Sequence, residues 1–397
     1  MGVENNIPEG WIETSLNEVC DVKGGKRLPK GETLVSKKNK HPYIRITDFA
    51  GNSINKSKLQ FVPNDTFEKI SRYIVNENDI IISIVGTIGL VAKIDKELDN
   101  ANLTENCNKL VNLRGVNNDF IYYYLTSRIG QFEINKNTVG AVQKKLPIYG
   151  VQSIKINLPP LQEQKAIAKV LTAFDEKIEL LQAQNKTLET MAQNIFKEWF
   201  GKYQIGDDLP EGWRVGEFGE LFNLTMGLSP KGDSYNHDMN GVPLLNGAGD
   251  YTGEKLDPKR YTSKPTRINK VGDLVFCIRG TIGKIVFAEK EYCLGRGVAA
   301  LSPKESNDKY FNYIKLKRII DELTRNATGS VILGLSKDDI KKAELILPSR
   351  KKLDEFSKVV KPLFNKIEIN NNQLQSLTKT RDSLLPKLMS GQVRVKM

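Results

Sequence analysis

Histidine is nearly absent from this chain. Two residues in 397, His41 and His237, stand in unrelated local settings, so neither a Ser-His-Asp relay nor a HExxH zinc site can be assembled. Cysteine is almost as scarce. Cys20, Cys107, Cys277 and Cys293 are scattered without CxxC spacing, which excludes a zinc ribbon and points to reduced thiols in a cytoplasmic protein. No apolar run reaches the roughly 18 residues of a membrane helix. Met1–Gly10 has no apolar core, so no secretory signal is expected. No GxxxxGK[ST] loop is present, which removes the common class of phosphate-loop ATPase.

What is abundant is positive charge. Lys and Arg number 59 against 47 Asp and Glu, a net charge of +12. On a soluble chain that excess favours a polyanion, most simply nucleic acid; the plain alternative is a generically basic surface. At 39% hydrophobic residues the chain can bury a core, and its length suggests two or three domains.

The stretch Leu158–Phe200 organises the rest. Apolar residues recur at Ile167, Leu171, Phe174, Ile178, Leu181, Leu188, Ala192, Ile195 and Trp199, with Asn185 as the one polar member. Steps alternating four and three make a heptad seam, hence a coiled-coil helix. Pro159 and Pro160 suit its first turn. About 40 residues at about 1.5 Å each give roughly 60 Å of helix. One apolar stripe needs a partner, and Leu347 to the C-terminus provides it: Phe356, Val360, Leu363, Ile367, Asn370, Leu374, Leu377, Arg381, Leu384 and Leu388. The two registers coincide at an offset of 189, as in Lys177-Ile178-Glu179 and Lys366-Ile367-Glu368. Interior prolines cost about 3 kcal/mol, so a kink is expected near Pro362 and fraying near Pro386. Two unrelated amphipathic helices on separate cores are the simpler alternative.

The blocks between the helices also repeat. Pro8-Glu9-Gly10-Trp11 returns as Pro210-Glu211-Gly212-Trp213. Asp79–Val85 reads as a buried strand, followed by Gly86-Thr87-Ile88-Gly89; Gly272–Ile278 with Gly280-Thr281-Ile282-Gly283 restates it. The glycines are expected to supply positive φ in a tight hairpin turn, with a phosphate-binding loop as the competing reading. Aromatic helices are expected at Phe120–Leu125 and Tyr310–Ile314, and loops at Thr138-Val139-Gly140 and Ala327-Thr328-Gly329-Ser330. His41–Asp48 alternates like a strand, and Lys23–Gly31 reads as a glycine-rich basic loop. Mixed strands and short helices give an α+β fold: two similar globular domains separated by two long helices, a pseudo-two-fold internal repeat. The divisions fall at 1–157, 158–203, 204–346 and 347–397. Such symmetry packs the two helices antiparallel and puts the domains at opposite ends of a rod.

Asp175-Glu176-Lys177 resembles half of a nuclease metal motif, but its place on the coiled coil makes it a solvated flank. Asn157-Leu158-Pro159-Pro160 lacks the spacing and the aromatic of an amino-methyltransferase motif and is read as the start of the helix. No catalytic residue or metal site is therefore assigned. What remains is DNA reading, which needs base-edge donors and acceptors on a positioned scaffold. The candidates are Lys26, Arg27 and Lys30; Arg45, Thr47 and Asp48; and Gln143, Lys144 and Lys145. In the second block they are Ser229, Lys231, Asn246, Arg279, Arg296 and Ser330. Two rivals stand beside a sequence-specific reader. One is a basic coiled-coil scaffold that binds DNA without sequence preference, and the other a nuclease with dispersed carboxylates.

The whole chain resembles the specificity (S) subunit of type I restriction-modification systems. The resemblance rests on the two Pro-Glu-Gly-Trp openings, the two Gly-Thr-Ile-Gly turns, Gly295–Leu301, and the proline-led helices LPPLQEQKAIAKVLTAFDEKIELL and LPSRKKLDEFSKVVKPLFNKIE. It implies two target recognition domains reading the halves of a bipartite double-stranded DNA site, with the helices as spacers. It also implies two methyltransferase (M) and two restriction (R) subunits as partners, with no membrane. S-adenosylmethionine, ATP and Mg2+ would reside on those partners and no cofactor on this chain. The first domain departs from the pattern, with Glu105–Leu113 where the second has Gly295–Leu301.

Overall fold

The structure is a computed structural model that describes residues 7–252, 255–326 and 334–395. The chain divides into two compact units, Met1–Gln182 with Asn372–Met397, and Ala183–Asn371.

In the first unit, strand Ile12–Ser15 pairs antiparallel with Lys155–Leu158, which leads into the long helix Leu161–Phe200. A four-stranded antiparallel sheet follows the order Asp21–Gly24, Cys107–Val111, Ile80–Ser83, Val91–Lys93. The strand Ile80–Ser83 is buried throughout, as its continuous isoleucine run requires. A second sheet orders Gln60–Phe61, Pro42–Ile44, Ala101–Leu103, Ile74–Val75, with the middle pair parallel. Helix Asn118–Thr126 carries the aromatic run. Asn117 caps it by accepting from the Phe120 N–H, and Phe120, Tyr123 and Tyr124 are buried. These residues share one core with Ile167 and Leu171 of the first long helix and Leu388 and Met389 of the second, Arg350–Met389.

The second unit repeats this plan. Arg214–Glu217 pairs with Glu344–Leu347. The antiparallel sheet runs Phe222–Met226, Val298–Pro303, Leu274–Cys277, Ile285–Phe287. The mixed sheet runs Tyr235–Asn236, Arg260–Thr262, Val242–Leu245, Cys293–Leu294, again with a parallel pair. Helix Lys309–Asn326 corresponds to Asn118–Thr126 but is twice as long. Its Phe311 joins a core with Phe196 and Phe356. The fold is thus α+β, written twice.

Both long helices contribute to both units, and in each unit their segments run antiparallel. In the first, Arg381 reaches Asp175 at 2.7 Å, while Leu388 shares the core of Ile167. In the second, Asn370 donates to Asn185 at 2.9 Å, and the ring of Phe356 lies 5.0 Å from that of Phe200. Of the seam residues, Ile167, Leu171, Ile178, Leu181, Phe356, Val360 and Ile367 are buried. Phe174, Leu188, Ile195, Leu363, Leu374, Leu377 and Leu384 are partly buried. Phe196, outside the sequence-read series, is buried beside the half-buried Ile195.

The second long helix stays helical through Pro362 and runs past Pro386 to Met389. Buried Val360, Phe364 and Ile367 flank the first proline; at about 1.5–3 kcal/mol per buried side chain, their packing outweighs one lost hydrogen bond. The end does not fray at Pro386, because Leu388 and Met389 are buried and the Ser390 N–H donates to the Pro386 carbonyl. The strand read at His41–Asp48 stops at Ile44, since Asp48 accepts the Arg45 N–H at 2.8 Å and turns Ile46–Asp48 into a 3-10 helix. The loop read at Lys23–Gly31 starts only after Gly24, which belongs to a strand. Asp175 is no solvated flank: it accepts from both Tyr123 Oη and Arg381, at 2.7 Å each. The loop read at Ala327–Ser330, with the candidate Ser330, lies outside the described residues.

Candidate nucleic-acid interface

In each unit five segments are laced together by the same backbone hydrogen bonds. Gly25 N–H donates to the Cys107 carbonyl and Lys26 N–H to Leu103; in the second unit Gly227 donates to Val298 and Leu228 to Leu294. Thr104 N–H donates to Ile44, and Gly295 to Leu245. Ile84 N–H donates to Asn106 and its carbonyl accepts from Leu146; Ile278 and its partners Gly297 and Leu335 do the same. The approach is so close that glycine is required. A Cβ on Gly25 would lie 2.0 Å from the Thr104 carbonyl oxygen, and one on Gly227 would lie 2.0 Å from that of Gly295.

The Gly-Thr-Ile-Gly segments lie beside this lacing. Gly86 and Gly89 have φ of 74° and 86°, and Gly280 and Gly283 have 70° and 100°. They close the antiparallel hairpins Ile80–Ser83/Val91–Lys93 and Leu274–Cys277/Ile285–Phe287, as the turn reading expects.

On this common frame the side chains differ. In the first unit Lys26, Arg27 and Lys30 are exposed. Arg27, with 76% of its side chain exposed, stands 3.4 Å from Glu105, and Lys26 lies over the Tyr73 ring. At the matching place in the second unit, Ser229 Oγ accepts the Arg296 N–H at 3.3 Å, and Arg296, Lys231 and Arg279 are exposed. The cation sits on the loop in one unit and at the head of the adjacent strand in the other.

The 3-10 turns are also equivalent. Asp48 caps Arg45, and Asp250 Oδ2 accepts from the N–H groups of Asn246 and Gly247 at 2.6 and 3.2 Å. Arg45 and Asp48 are committed to each other: the guanidinium donates to Asp48 at 3.1 and 2.8 Å and to Gln60, and Asp48 is buried. Thr47 is exposed, and Asn246 is half-buried against Gly295. Sequence reasoning missed Asp250, although it lies 202 residues after Asp48, the same offset as the two tryptophans Trp11 and Trp213. It also missed Lys284, which donates to the carbonyls of Ala248 and Tyr251 at 3.2 and 3.3 Å. Gln143, Lys144 and Lys145 are exposed on a loop tied to the lacing through Leu146.

The groups gathered here are guanidinium, ammonium, amide and hydroxyl donors, suited to phosphates and base edges. Among the described residues no three His, Cys, Asp or Glu side chains are placed to hold a metal ion. His41 is stacked on Phe67. All four thiols are buried, and burial pushes those of Cys20 and Cys107 up to about 12 and that of Cys277 to about 11. Among the described residues no helix is long and apolar enough to cross a membrane.

The profile described as "Type I restriction modification DNA specificity domain" matches the chain twice, at residues 8–190 and 210–379. The chain belongs to the type I restriction-modification specificity family. Two Methanocaldococcus jannaschii members, the MjaIX and MjaVIII specificity subunits, are 25% and 26% identical, covering 98% of this chain and 95% and 94% of theirs. The crystal structure of a type I restriction-modification S subunit from Mycoplasma genitalium matches with a TM-score of 0.63 and 21% identity, over 100% of this chain and 99% of that one. At that identity the likeness speaks for the fold. The two profile matches each take in one laced-loop frame and much of one long helix, so the family's domain is the repeated unit seen here.

Proposed function

We propose that this chain is the DNA-reading subunit of a type I restriction-modification complex, and that each unit reads one half of a bipartite, asymmetric double-stranded target. The observation that carries this reading is one backbone frame used twice with different side chains at its rim. A shared frame supports a shared task, and different donors support different sequences.

The two helices, each shared by both units, set the length of the gap between the half-sites. Successive major-groove faces on one side of DNA recur about every 34 Å, a span that helices of about 40 residues exceed. The chain itself carries no chemistry. It recruits two methyltransferase subunits, which bring S-adenosylmethionine, and two restriction subunits, which use ATP and Mg2+.

The test is methylome sequencing of cells carrying the chain with its partner subunits. Inserting or deleting helix turns between Ala173 and Gln193, with the matching change in the second helix, is expected to alter the gap and leave both half-sites as they were. Altered half-sites with an unchanged gap would sink the spacer role.

A further inference from the structure

Val142 is 97% exposed, the most exposed large hydrophobic side chain among the described residues. A single exposed valine is ordinary on a protein surface. This one stands at the tip of a loop that is closed at its base. Val139 and Lys145 exchange both backbone hydrogen bonds at 2.8 Å, closing the loop at its base. Gly140, with φ of 101°, lets the chain turn back so tightly that a Cβ there would lie 2.3 Å from the Gln143 carbonyl oxygen. Leu146, fully buried, anchors the loop below and donates its N–H to Ile84, within the laced-loop frame. The tip therefore offers an aliphatic group followed at once by an amide, Gln143, and two exposed ammonium groups, Lys144 and Lys145.

Those four side chains match one kind of surface. In the major groove, thymine is the base whose edge carries an apolar group, its 5-methyl, and a glutamine amide can bond adenine at N6 and N7 together. Lysines hold phosphates on either side. We propose that the Val139–Lys145 loop reads a T·A-containing step in the half-site of the first unit. Val142 packs on the thymine methyl, and Gln143 takes the adenine edge. This rests on the reading under Proposed function and deepens it by naming the base chemistry of one loop.

The experiment measures binding of the chain, assembled with its methyltransferase partner, to its own target duplex, with deoxyuridine replacing thymine in one half-site at a time. Removing the methyl should weaken wild-type binding about fourfold in the first unit's half-site, the effect of one buried methyl group. Val142→Ala should lose about as much on ordinary DNA and be indifferent to deoxyuridine there. Val142→Thr, which keeps a γ-methyl, should retain the sensitivity. The inference is overturned if Val142→Ala binds as wild type, if it keeps the full deoxyuridine response, or if that half-site holds no T·A pair. Intact target discrimination with no deoxyuridine effect overturns this inference alone. A wild-type complex that fails to distinguish its target from unrelated DNA overturns the reading of function, and this inference with it.

Discussion

The two units solve the same folding problem with different side chains. Their laced loops share backbone bonds that, once glycine stands at Gly25 and Gly227, use no side chain: Gly25 to Cys107 and Gly227 to Val298, Ile84 to Asn106 and Ile278 to Gly297. What varies is the rim. Arg27 faces Glu105 in one unit, and Ser229 faces the backbone of Arg296 in the other. A frame held by main-chain hydrogen bonds leaves the surface free to change, which is what a family of readers with different targets requires. The helix segments differ as well. In the first unit Tyr123 and Arg381 converge on Asp175; in the second Phe364 stacks 4.5 Å from Tyr310, and the polar link passes instead through Glu189, which accepts from Tyr313 and Lys317.

The comparison can be broken most forcefully at the two glycines. Gly25→Ala and Gly227→Ala each press a methyl into a backbone carbonyl, and each should destabilise its own unit by about 3 kcal/mol or more. Thermal unfolding that shows one variant crippled and the other neutral would mean the frames are not equivalent. A smaller effect is expected at the helix pair. Asp175→Ala leaves Arg381 with Asp382 alone and the Tyr123 hydroxyl with only its long 3.4 Å contact to Thr172, for a loss of about 1–2 kcal/mol. Part of that loss should disappear in molar salt, whereas the loss from Phe364→Ala in the second unit should persist; equal salt dependence at both places would erase the distinction. Smallest is the buried amide pair Asn185 and Asn370, whose carbonyl Oδ1 on Asn370 has no partner. Replacing both with Leu should leave stability unchanged or raise it by about 1 kcal/mol, because such layers fix register rather than add stability. A loss of several kcal/mol in denaturant titration would contradict that.

Much of this was legible in the chain because periodicity survives divergence. The seams, the aromatic helices and the Gly-Thr-Ile-Gly turns recur at offsets of 189, 191 and 194. The turn at Ile46–Asp48 was not legible, because alternation in His41–Asp48 matches a strand, and only the Asp48 carboxylate folding back on Arg45 ends it. For the same reason the sequence does not show that the Arg45 guanidinium donates to Asp48. Phe196 escaped because a strict heptad drifts against 3.6 residues per turn, so that near Trp199 the buried face has moved on by one residue. The chain stays helical at Pro362 because intrinsic propensity is weaker than the packing of the side chains around it.

Exchanging Gly206–Ile346 for the corresponding segment of another family member, followed by methylome sequencing with the partner subunits present, tests the central claim most directly. Two independent readers on one repeated frame predict that one half of the methylated site changes while the other half and the gap stay as they were. A change in both halves would show that the units do not read separately.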